Sequence, residues 1–86
     1  MYTYIIPIRY PESSEPDLFD LVEFRLPVRV SHGIHAITED ILEAYDKRNA
    51  YQDRMTAVES AFDDTAAKYS GSWKYIGQDM ETLDIE

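Results

Sequence analysis

From Tyr2 to Tyr10, the residues Tyr2, Tyr4, Ile6, Ile8 and Tyr10 alternate with Thr3, Ile5, Pro7 and Arg9. This is the period of two that sends successive side chains to opposite faces of a strand. A second run repeats it, with Val22, Phe24, Leu26, Val28 and Val30 alternating with Glu23, Arg25, Pro27 and Arg29. Both stretches predict strands with one apolar face. An antiparallel register that keeps like faces together pairs Tyr10 with Val22, Ile8 with Phe24, Ile6 with Leu26, Tyr4 with Val28 and Tyr2 with Val30. It also sets Arg9 across from Glu23 on the outer face. Each proline removes a ladder donor, so Pro7 and Pro27 are expected at an edge, at a bulge or facing solvent. Between the runs, PESSEPDLFDL (11–21) collects Pro, Ser and acidic residues and predicts a loop of roughly a dozen residues, mobile or turned toward a partner.

The pattern then changes period. From Thr38 to Tyr69 there is neither Pro nor Gly, and Ile37, Ile41, Ala44, Tyr45, Tyr51, Met55, Val58, Phe62, Ala66 and Tyr69 recur at helical spacing. Thr38 is a fair N-cap, Glu39 and Asp40 suit the positive end of the dipole, Lys68 suits the negative end, and YSGS (69–72) stops the run. Arg48 falls on the apolar stripe, yet at about 100° per residue the stripe keeps its phase on both sides, which predicts one long helix. Such a helix measures roughly 48 Å at about 1.5 Å per residue, more than a small sheet covers. Part of its stripe therefore has two possible uses: packing within the monomer, or a self-associating seam along Ile41, Arg48, Met55, Phe62 and Tyr69.

Beyond the helix, Trp73–Ile76 predicts a strand, Gly77 a turn, and the last residues an acidic segment in which Leu83 and Ile85 alternate with charges. The order is ββαβ or ββαββ. The expected fold is α+β, a small two-layer sandwich with an antiparallel sheet packed against one long helix, in a single domain spanning 1–86.

Composition narrows the function. Hydrophobic residues make up 44% and aromatic residues 13% of the 86 positions, with seven tyrosines, which is a globular chain and not a disordered acidic tail. There is no cysteine, so disulfides and thiolate metal sites are excluded, and a reducing, cytoplasmic setting is the expectation. The N-terminal run lacks the basic region and long apolar stretch of a signal peptide or membrane span. Seventeen acidic residues against eight basic ones give a net charge of -9. Repulsion from nucleic acid and from anionic membranes follows, and a charge-steered partner is expected to be basic.

Candidate chemistry is sparse. In SHGIHAITEDILEAYD (31–46), His32 and His35 stand just ahead of Glu39 and Asp40. A helical His35 and Glu39 would share a face, but a metal site needs three or four ligands and an ordered second layer of contacts, and Gly33 disturbs the geometry. These residues are therefore read as the connection into a helix, with no metal and no cofactor. The chain carries no Gly-rich phosphate loop, no cysteine nucleophile and no recognisable serine motif, and plentiful carboxylates are not a positioned acid and base. No catalytic role is expected.

The acidic face of the helix remains. On a helical wheel Glu39, Glu43, Asp46, Asp53 and Asp64 fall within roughly 80°, opposite the apolar stripe. Their steps place carboxylates about 5 to 10 Å apart, the scale of phosphates along a nucleic-acid strand. The expected function is a small acidic inhibitor that mimics nucleic acid and occupies the basic surface of a nucleic-acid-handling protein. Some phage and mobile-element inhibitors of CRISPR and restriction systems are similar in size and charge alone. The alternative is a structural or regulatory subunit that self-associates through the helix seam, so either a monomer or a homodimer is expected.

Overall fold

The structure is a computed structural model that describes residues 1–10, 18–48 and 53–79. The first alternating run forms β1 (Tyr2–Ile8), and the second strand, β2, spans Phe19–Leu26. The sequence placed β2 at Val22–Val30. It begins three residues earlier, at Phe19: Asp20 takes the next position on the core face, while Phe19 and Leu21 are buried on the opposite face, out of step with the Val22–Leu26 alternation, and the strand stops before Pro27, which has no N–H to extend the ladder. The remainder of the expected loop, 11–17, lies outside the described residues.

The two strands pair antiparallel with Tyr2 opposite Leu26, Tyr4 opposite Phe24, Ile6 opposite Val22 and Ile8 opposite Asp20. This is a four-residue slip from the expected register. An even slip keeps every side chain on its face, so the apolar pattern could not detect it. Arg9 therefore does not face Glu23. Ile5 lies opposite Glu23, and the Arg9 guanidinium covers the Phe19 ring at 4.8 Å. Pro7 is tolerated because β1 is an edge strand.

Two helices follow in place of one: α1 (Ile34–Asp46) and α2 (Arg54–Lys68). Phase deceived the sequence reading. The seven positions between the helices advance the wheel by about 700°, within about 20° of two full turns, so the stripe resumes in phase after the chain has reversed. Contacts from Asp40 to Lys68 and from Arg48 to Ser60 run in opposite senses along the chain, so the helices form an antiparallel hairpin. Arg48 closes it. Its Nε donates to Ser60 Oγ at 2.7 Å, its Nη1 donates to the Ala44 carbonyl at 2.5 Å, and its Nη2 pairs with Asp64. The cation on the apolar stripe is thus a clamp, with its side chain only 15% exposed.

Thr38 is not the N-cap. The helix starts at Ile34 after Gly33, whose φ of 57° lies in the left-handed region, and Thr38 Oγ1 donates back to the Ile34 carbonyl at 2.8 Å. The cap of α2 is Asp53, which accepts from the Met55 N–H at 3.0 Å. Lys68 occupies the last turn as expected, and the run stops where Ser70 takes a positive φ and the Gly71 N–H donates to the Ala66 carbonyl at 2.8 Å.

β3 (Ser72–Asp79) adds antiparallel to the other side of β2, giving the order β1-β2-β3. Gly77 is within this strand and not at a turn, and the pairing is irregular opposite Leu21 and Val22. The expected terminal segment with Leu83 and Ile85 lies outside the described residues.

The helices pack on one face of the sheet. Ile6, Ile8, Val22, Phe24, Leu26, Ile37, Ile41 and Phe62 are all 1% exposed or less. Phe62 meets Phe24 edge-on with ring centres 6.2 Å apart and lies 4.7 Å from Trp73. Ile41, Val58 and Phe62, members of the supposed seam and its flank, are therefore enclosed within the chain. Among the described residues no helix is long and apolar enough to cross a membrane.

Candidate binding surface

Separation of the helices breaks the single acidic row. Glu39, Glu43 and Asp46 stay together on α1, exposed and spaced four and three residues apart. Glu43 pairs with Lys47 at 3.0 Å, with both side chains about two-thirds exposed, so solvent screens the pair. Glu39 and Asp46 form no ion pair among the described residues. Asp53 has left the row to cap α2, its second oxygen accepting from Thr56 Oγ1 at 3.0 Å. Asp64 faces the other helix and is paired with Arg48. The row expected over Glu39, Glu43, Asp46, Asp53 and Asp64 thus reduces to three residues on one face, one cap and one partner in an ion pair.

Other carboxylates acquire definite partners that no local spacing announces. Asp40 accepts from Lys68 Nζ at 3.0 Å and from the Tyr69 hydroxyl. Partial burial by itself would raise the Asp40 carboxyl, but the bonds from Tyr69 and Lys68 outweigh it and hold the group below its usual value. Burial, followed by the same carboxylate, pushes the Tyr69 hydroxyl up to about 12. Asp63 accepts from Trp73 Nε1 at 2.7 Å. Asp20 is 8% exposed and accepts a long 3.4 Å bond from Tyr75. Beside it the buried Tyr10 hydroxyl has no hydrogen-bond partner within bonding distance among the described residues, and burial together with the Asp20 charge raises that hydroxyl strongly.

The layers differ in charge. The helical hairpin, residues 34–48 and 53–68, holds eight acidic residues against four basic ones. The described residues outside it hold three acidic against four basic, with Arg9, Arg25, Arg29 and Lys74 among them. Among the described residues, negative charge is therefore concentrated on the helical side. The cleft between the helices, about 200 Å³, is lined by Asp40, Glu43, Lys47, Arg48, Asp64 and Lys68, where acid and base largely cancel. A second cleft of about 350 Å³ on the sheet is lined by Glu23, Arg25, Ser72, Trp73 and Lys74.

His32 and His35 are both exposed, His32 before α1 and His35 in its first turn. Among the described residues no group of three or more His, Asp or Glu is placed to hold a metal ion. No family model matches the chain, and no curated protein and no solved structure matches it either.

Proposed function

We propose that the protein is a non-catalytic acidic binding module that seats on a basic protein surface, most simply the nucleic-acid site of a DNA- or RNA-handling protein, and blocks it. The observation that carries this reading is the segregation of charge. Glu39, Glu43 and Asp46 face solvent together on α1, on a hairpin with twice as many acidic as basic residues, while the rest of the described chain is near neutral. A helix is a rigid frame, so these carboxylates meet a cationic surface without the ordering cost a flexible acidic tail carries. The core beneath them depends on none of the three, and the Glu43–Lys47 pair is exposed enough for a cationic partner to displace it at little cost.

Immobilised protein exposed to a nuclease-treated lysate provides the test. The expected result is capture of a basic protein that elutes with rising salt and whose nucleic-acid binding is then blocked by the free chain. A captured protein that binds nucleic acid equally well in the presence of saturating chain would overturn the reading.

A further inference from the structure

The two edges of the sheet are not alike. On β1 the edge carries Pro7, which cannot donate to a further strand. On β3 the edge carries no proline, and among the described residues nothing pairs with it. Tyr75 and Ile76, 44% and 49% exposed, stand at its centre. The pairing with β2 shifts at Ile76, so the regular stretch of this edge is Ser72–Tyr75, which offers its outward backbone donors and acceptors to an extended chain.

What flanks that edge selects the chain it takes. Helix α2 runs over β3, since Asp63 accepts from Trp73 Nε1 and Phe62 packs on the Trp73 ring. Ser60 and Asp64 face α1 through Arg48, while Val58, Phe62 and Ala66 face the core. At about 100° per residue Glu59 and Asp63 fall on the remaining flank, away from α1 and on the side of the open edge. Both are exposed. Trp73 and Tyr75 lie on the helix-facing side of β3, opposite Phe24 and Val22. A strand laid beside β3 would send every second side chain toward this rim of two carboxylates and two aromatic rings, a setting for lysine or arginine.

We propose that the edge of β3 takes an extended segment of a basic partner as a fourth strand, with lysine or arginine at alternate positions beneath Glu59 and Asp63. The proposal rests on the basic-partner reading above and adds where the partner's backbone pairs. Trp73 is the only tryptophan of the chain and sits on the strand concerned, so its fluorescence reports occupancy.

The probe is a ten-residue peptide alternating lysine and threonine, titrated into the full chain. Two controls accompany it: the same residues arranged as a lysine block and a threonine block, and the alternating peptide methylated at its backbone nitrogens. The expected result is a saturable change in Trp73 fluorescence with amide shifts confined to β3 and its flank, lost on methylation and weaker for the block peptide. Glu59→Gln with Asp63→Asn should weaken binding about 2- to 30-fold at low salt, the combined range for two exposed ion pairs. Equal binding of the methylated peptide, or shifts centred on Glu39, Glu43 and Asp46, would overturn strand addition while leaving the basic-partner reading intact. A mass that doubles with concentration and abolishes peptide binding would also overturn it, by giving the edge to a second copy. Capture of a basic protein by a chain that binds none of the peptides rejects this proposal alone, whereas failure of both rejects both readings.

Discussion

Replacing Phe62 by Ala tests whether the helical stripe is a core or an oligomer seam. Phe62 is 1% exposed, and its ring meets Phe24 at 6.2 Å and Trp73 at 4.7 Å. Phe-to-Ala changes in cores cost about 3–5 kcal/mol, with the spread set by how well the surroundings collapse. Collapse is poor here. The other buried positions of α2 are Ala57, Val58, Ala61, Thr65 and Ala66, all with short or β-branched side chains that reach little of the gap, and Phe24 and Trp73 are held on paired strands. The cost should fall in the upper half of that range, about 4–5 kcal/mol. A domain of this length has total stability of about 4–13 kcal/mol, so the variant loses a third of it or more. Urea unfolding followed by far-ultraviolet dichroism and Trp73 fluorescence gives the value, and Phe62→Leu, expected to lose about 1–2 kcal/mol, supplies a folded comparison. The unfolding midpoint of the unaltered chain should not depend on protein concentration. A loss below about 1 kcal/mol for Phe62→Ala, or a midpoint that rises with concentration, would refute the assignment of the stripe to the interior of the monomer.

Three further substitutions probe the hairpin and its junction with the sheet. Arg48→Ala removes donors to Ser60 and Ala44 and should cost about 1–3 kcal/mol, with little change between low and high salt because the screened Asp64 end contributes least; urea melts at two ionic strengths check both points. Gly71→Ala would place a Cβ 2.4 Å from the Arg25 carbonyl oxygen and from Leu26 Cδ2, so a loss of about 1–3 kcal/mol, seen as a lowered Tm, is expected from overpacking against β2. Asp40 has its carboxyl held below the ordinary 3.8, so its contribution is fully present above that value and is lost as pH falls through the lower folded value. The stability gap between the unaltered chain and Asp40→Asn should therefore be widest above about pH 5 and shrink below about pH 4 in acid titrations; a gap that widens on acidification would contradict the assignment.

Alternation at Tyr2–Tyr10 and Val22–Leu26 made the strands legible, because a half-buried sheet imposes period two on the chain. The same symmetry hid the register, since a slip of four residues leaves each face unchanged. Phe19 and Leu21 were obscured by the Pro, Ser and acidic residues before them, which dominate any local reading of the stretch. Apolar spacing made the helical content legible but not the break, because the separation between α1 and α2 restores the wheel phase by coincidence of length. Arg48 was the clue. A cation on an apolar stripe needs partners, and an antiparallel hairpin supplies them from Ser60 and Asp64. Of the expected acidic row, Glu39, Glu43 and Asp46 stayed together because they share one continuous helix. Asp53 and Asp64 were reassigned by contacts that spacing does not encode, as were Asp40 and Asp63, whose partners stand 28 and 10 residues away.

If the acidic face of α1 seats on a cationic surface, neutralising that face without disturbing the fold should remove binding. Glu39→Gln, Glu43→Gln and Asp46→Asn together remove like charges at contact spacing, each pair worth about 0.2–0.5 kcal/mol of repulsion in an isolated helix, so the melting temperature should move by no more than a few degrees. Affinity of the triple variant and of the unaltered chain for the captured basic protein is then measured over a range of salt concentrations. The expected outcome is a large loss of affinity at low salt, a shallower salt dependence for the variant, and curves that converge as salt screens the remaining charge. Equal affinity and equal salt dependence for the two chains would contradict it.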